Sequence, residues 1–119
     1  MTTQEIADRL VELCKKGEFE TAQKELFSTE AVSIEPFASP AFEKETKGLD
    51  AIIEKGKKFM SMVEETHSMS LSDPMVAGTS FALLLKMDVT MKERGRQEMA
   101  EVCVYDVKEG KIVCESFHM

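Results

Sequence analysis

From Thr3 to Lys16 the apolar residues Ile6, Leu10, Leu13 and Cys14, with Val11 flanking, recur at spacings of three and four, the stripe of an amphipathic helix. Thr3 is placed to cap its first turn, and Gly17 to end it as the residue just beyond the helix. Phe19, Ala22, Leu26 and Phe27 then mark a second short helix, so the chain opens with a helical hairpin. Ala31 to Phe37 alternates loosely around Val32 and Ile34, and Pro36 makes it an edge strand or the end of one. A loop containing Pro40 follows. After Gly48, the run of Ile52, Ile53, Gly56, Phe59, Met60 and Val63 predicts a third helix, weakened by its central glycine.

From Thr66 the period changes to two. Met69 and Leu71 come first, and then, between Thr79 and Met91, Phe81, Leu83, Leu85, Met87, Val89 and Met91 share one parity while Lys86, Asp88 and Thr90 take the other. Arg94-Gly95 suits a turn into a strand from Glu98 to Val107, and Lys108 to Lys111 a second turn into Ile112 to His118. Helices first and strands afterwards is the α+β order, with three N-terminal helices covering one face of a curved antiparallel sheet. Ala82 and Leu84 make the second face of that sheet partly apolar too, which predicts a homodimer through it.

The 119 residues, 43% hydrophobic and 31% charged, suit one domain spanning 1–119 and closing a single core around a modest cavity. The longest apolar run, Phe81 to Leu85, is strand-sized, so no membrane span is expected. Met1 to Glu12 carries early acids and lacks the apolar core of a secretory signal. Cys14, Cys103 and Cys114 form neither an even set nor a CxxC pair, which fits reduced thiols in the cytoplasm better than disulfides or zinc. The net charge of −7, with basic residues scattered among acids, argues against nucleic acid as a partner. No phosphate loop, nucleophile elbow or zinc motif occurs, so neither a cofactor nor a metal is expected.

Four local words in their order resemble the nuclear transport factor 2-like superfamily, also called cystatin-like, which holds the ketosteroid isomerases and SnoaL-like polyketide cyclases. They are Gly17-Glu18-Phe19 between the first helices, Ala31 to Pro36 as the first strand, Gly48-Leu49-Asp50-Ala51-Ile52 opening the third helix, and Glu109-Gly110-Lys111-Ile112 in the last hairpin. The resemblance covers nearly the whole chain. It implies a cone-shaped fold, a pocket between helices and sheet for an apolar small molecule, and a dimer. Pocket positions implied on this chain are Leu10, Cys14, Phe59, His67 and Met87.

The same resemblance marks Glu35, in Ile34-Glu35-Pro36, as the candidate general base, since the isomerases carry a carboxylate before a proline at the end of the first strand. Partly desolvated beside apolar walls, such a group has a raised pKa and can take a proton from carbon next to a carbonyl. The plainer alternative is a solvated acid at a strand end. Of the isomerases' two oxyanion donors, the helix-one tyrosine is replaced by Leu10, and the acid falls near Val102, with Glu101 beside it. Steroid isomerisation is therefore disfavoured. A cyclase needs less, an acid or base in an apolar pocket, and Glu101 and His118 are the further candidates. A non-catalytic dimeric binding or interaction module of the same fold is the competing expectation.

Overall fold

The structure is a computed structural model that describes residues 1–119. Helix α1 runs Thr3–Lys15, α2 Phe19–Leu26 and α3 Leu49–Met62; the strands are β1 Phe27–Ile34, β2 Glu45–Lys47, β3 Val63–Leu71, β4 Met75–Ala77, β5 Ser80–Met91, β6 Gly95–Lys108 and β7 Lys111–His118. The cap of α1 is Thr2 rather than Thr3: its hydroxyl accepts from the Glu5 backbone N–H while the Glu5 carboxylate accepts from the Thr2 N–H. Gly17, at φ 76°, donates to the Cys14 carbonyl and Glu18 to that of Leu13, the paired bonds that end a helix on a left-handed residue. Arg9 then ties α1 to α2 through Glu25 at 2.7 and 3.1 Å.

Both later helices run straight into strands. Phe27 and Val63, which continue the helical spacing in the sequence, are the first residues of β1 and β3. Neither junction contains a glycine or proline to punctuate it, so the apolar period alone places each helix end one residue late. Strand β1 correspondingly starts at Phe27 rather than Ala31 and stops at Ile34, before Pro36.

The sheet has the order β2-β1-β7-β6-β5-β3, with β4 also on β5, and does not close. It is mixed, since β1 lies parallel to β7 while every other pair is antiparallel. Those two strands come from opposite ends of the chain, so no hairpin dictates their direction. Helices α1, α2 and α3 pack on the inner, concave face, and 17 buried residues form one core cluster. Ile6, Leu10 and Leu13 of α1 and Ala22 and Leu26 of α2 meet Phe27, Phe81, Tyr105, Val107 and Ile112 of the sheet. Tyr105 stacks on Phe81 at 4.8 Å and meets Phe27 edge-on at 6.4 Å. This packing closes one end of the fold and leaves the other end open.

Candidate functional site

Beyond the core, helices and sheet diverge around a cavity of about 610 Å³, and 18 of its 28 lining residues are hydrophobic, enough to desolvate most of a small apolar molecule. The inward parity of β5, through Leu83, Leu85 and Met87, forms one wall, and Phe59 and Met60 of α3 another. One polar cluster lies at the β1–β7–β6 side, where Glu35, Glu101, Glu115, Lys55 and Tyr105 share the cavity with the buried Ser33 beneath; Glu20 and Gln23 of α2 and Lys57 of α3 also line it.

Register explains how three acids converge. Ser33 lies opposite Glu115 across the parallel β1–β7 pair, and Tyr105 opposite Glu115 across β7–β6. Glu101 stands four residues back from Tyr105 on the same face of β6, and Glu35 follows directly on the end of β1, two residues beyond Ser33. Lys55 enters from α3 with its side chain only 14% exposed; its Nζ donates to Ser33 Oγ at 2.5 Å and lies 3.7 Å from Glu35 Oε1. The Lys55 ammonium also stands 5.4 Å from the centre of the Phe117 ring.

Burial pushes Glu115, only 5% exposed, up to about 7, against the pull of the Ser33 hydroxyl and the Lys55 charge. Burial likewise raises Glu101 to about 7, with the nearby Glu35 and Glu115 charges adding to the rise. Tyr105 and the thiols of Cys14 and Cys103 are driven upward by burial too, Cys14 to about 12 and Cys103 well above the usual thiol range, which leaves both as neutral thiols. The site thus holds two carboxyls that exchange protons near neutral pH beside a third carboxyl and an ammonium.

Of the sequence candidates, Glu35, Glu101, Leu10, Cys14, Phe59 and Met87 line this cavity. His67 and His118 do not. His67 is the unpaired residue of a bulge between Thr66 and Ser68; its ring bonds the Thr90 hydroxyl at 2.7 Å and lies 3.4 Å from Glu65. His118 pairs with Val102 on the outer face, 3.3 Å from the Ser116 hydroxyl. The exposed Val102 faces outward, so Glu101 and Cys103 are the inward residues of that stretch.

Glu115 and Lys55 are absent from the sequence candidates. The signal for Lys55 was present, because it falls three residues after Ile52 and four before Phe59, within the apolar stripe of α3. Glu115 is hidden by a bulge: Val107 pairs with Ile112 and Asp106 with Cys114, leaving Val113 unpaired, so that Ile112 and Glu115 both point inward three residues apart.

The SnoaL-like domain profile matches residues 1–119, the full length of the sequence. The chain belongs to the SnoaL-like family. A Mesorhizobium loti protein described as a candidate SnoaL-like polyketide cyclase is 36% identical, with a TM-score of 0.92 and all of both chains covered. A nuclear transport factor 2-like protein of unknown function from Burkholderia pseudomallei is 13% identical at a TM-score of 0.78, over 100% of this chain and 92% of that one. A candidate isomerase from Bacillus subtilis is 19% identical at 0.72, over 98% and 88%. The last two likenesses establish the α+β cone fold alone. Among curated proteins none matches the sequence. As a SnoaL-like chain, it has no helix long and apolar enough to cross a membrane.

Proposed function

We propose that this SnoaL-like chain, a single domain over 1–119, binds an apolar carbonyl compound in its cavity and moves protons on it, as an isomerase or cyclase does. One observation carries the reading: three carboxyls, one just past the end of β1 and the others on β6 and β7, face a largely apolar cavity, and burial raises the latter two to about 7. Glu35, with its side chain 24% exposed at the cavity wall, is the base that takes the proton from carbon. Glu101 or Glu115 in its protonated form is the acid that returns one. A proton-transfer cycle of this kind draws on no cofactor.

Support for a dimer comes from the outer face of the sheet, where Val102, Val104, Leu84 and Ala82 adjoin through the β5–β6 register. The free thiols, two of them buried, fit a reducing compartment such as the cytoplasm.

The test is exchange of α-hydrogen for deuterium in apolar aryl ketones, followed by mass spectrometry in heavy water. Wild type should accelerate exchange, and Glu35→Gln should cut that acceleration on the order of 100-fold while sparing ketone affinity. Ketone binding without any exchange would instead favour a non-catalytic binding module.

A further inference from the structure

Proton removal from carbon beside a carbonyl leaves a pair of electrons that moves into the new carbon–carbon double bond as the carbonyl π pair moves onto oxygen. That oxygen needs a donor at the moment its charge appears. Leu10 occupies the position where the resemblance would place a tyrosine, and it supplies none. Of the two lysines that line the cavity, Lys57 is exposed and paired with Glu20 and Glu54, whereas Lys55 is the part-buried one, and its donors are not all spent. A lysine has three N–H bonds. One of Lys55's is accepted by Ser33 Oγ at 2.5 Å; Glu35 Oε1, at 3.7 Å, is an ion-pair neighbour beyond hydrogen-bond distance. The Phe117 ring at 5.4 Å accepts no conventional hydrogen bond.

The position is enforced from both ends. Lys55 lies on the stripe of α3 that carries Ile52, which is buried in the core, so the helix cannot turn the amine out to water without losing that contact. Ser33 is fully buried on β1 and can serve the ammonium only where it now sits. Among apolar walls an ammonium stabilises a developing negative charge far more than it does in water.

We propose that Lys55 is the electrophilic residue of this cavity: its unspent N–H binds the oxyanion of an enolised or phenolic ligand, while Glu35, held beside it, handles the proton. This rests on the acid/base reading given above and assigns the group that completes it. The ligand class is an apolar molecule carrying one acidic enol or phenol oxygen. Protonated Glu101 and Glu115 add no repulsion to that oxygen and stand as secondary donors.

Two probes separate the proposal from the reading beneath it. N-phenyl-1-naphthylamine, a neutral fluorescent dye, reports whether the cavity takes an apolar molecule. A series of halogenated and nitrated phenols, whose own acidities span the neutral range, reports by absorbance whether the bound form is phenol or phenolate. The wild type should bind the dye and should hold phenols as phenolates at pH values where free phenol predominates. Lys55→Met should weaken phenolate binding on the order of 10-fold or more and leave dye affinity within about two-fold, since only a charge-assisted bond is lost. If Lys55→Met does not fold, Lys55→Gln, which keeps an N–H for Ser33 but no charge, makes the same comparison. Dye binding with phenols held neutral, or phenolate binding that survives in a folded variant, overturns the role of Lys55 alone. A wild type that binds neither probe overturns the small-molecule reading and this proposal together.

Discussion

Glu115 illustrates what single side chains contribute here. Its carboxyl is buried against Ser33 and Lys55, and burial raises it from the usual 4.5 to about 7. In the unfolded chain it ionises near 4.5, so between that value and 7 the folded protein binds more protons than the unfolded one. Stability from this group is therefore complete below pH 4.5 and is lost as pH rises toward and through 7. Glu101 has the same sign. The surface carboxylates that are held down, Glu5, Glu20, Glu25 and Asp88, lose their contribution only as pH falls through the acid range, outside this window. Urea unfolding should show stability falling from pH 5 to pH 8. Glu115→Gln should flatten that slope and, at pH 8, exceed wild type on the order of 1–3 kcal/mol. A variant less stable than wild type at pH 8 would mean that the carboxylate is satisfied where it lies. Of the acids that line the cavity, the resemblance pointed to Glu35, before its proline, and to Glu101, one residue from the position it implied. It concealed Glu115 because parity counted from Ile112 carries Cys114, Ser116 and His118 inward, and the unpaired Val113 reverses that facing.

The elements follow the same logic. Long periodic runs declared themselves, as in α1 and β5, and so did turns whose backbone demands particular residues: Glu109 and Gly110, at φ 53° and 76°, form the two-residue link that pairs Lys108 with Lys111. The three-residue strands β2 and β4 are too short to show a period. Helix α3 presents a different question, because Gly56 sits in its middle without a positive φ. An added Cβ there meets nothing within 4 Å, so neither packing nor backbone strain requires glycine. What Gly56 does is line the cavity next to Lys55. Gly56→Ala should stabilise the protein by about 0.5–1 kcal/mol, the ordinary gain of alanine over glycine within a helix. In thermal unfolding the midpoint should rise by about 2–6 °C. The new methyl group takes up space in the cavity, so affinity for the neutral dye should fall or stay level as stability rises. A fall in stability would show a constraint on α3 that its open surroundings do not reveal.

For the whole molecule the decisive asymmetry is between the two faces of one sheet. The inner face is spent on core and cavity. On the outer face the register aligns Ile34, Ser116, Val104, Ala82 and Met75 in one row across five strands, with His118, Val102 and Leu84 in the next. Val102 is 43% exposed and Met75 78%, and no helix covers either row. An open sheet with both faces apolar is usually covered on the second by another element or another chain. All three helices pack on the first face, so a second copy of the chain is the available cover. Sedimentation or light scattering on the wild type should therefore give twice the chain mass of 13.4 kDa. Val102→Lys places a charge in the middle of that face, among Leu84, Val104 and His118, and should weaken self-association on the order of 100-fold. Because Val102 points away from the core and the cavity, the variant should keep its circular dichroism and bind the neutral dye as wild type does. A monomeric wild type would remove the dimer outright. A Val102→Lys protein that stays dimeric would move the interface off this face, and one that loses dye binding on dissociation would show that the cavity depends on the second chain.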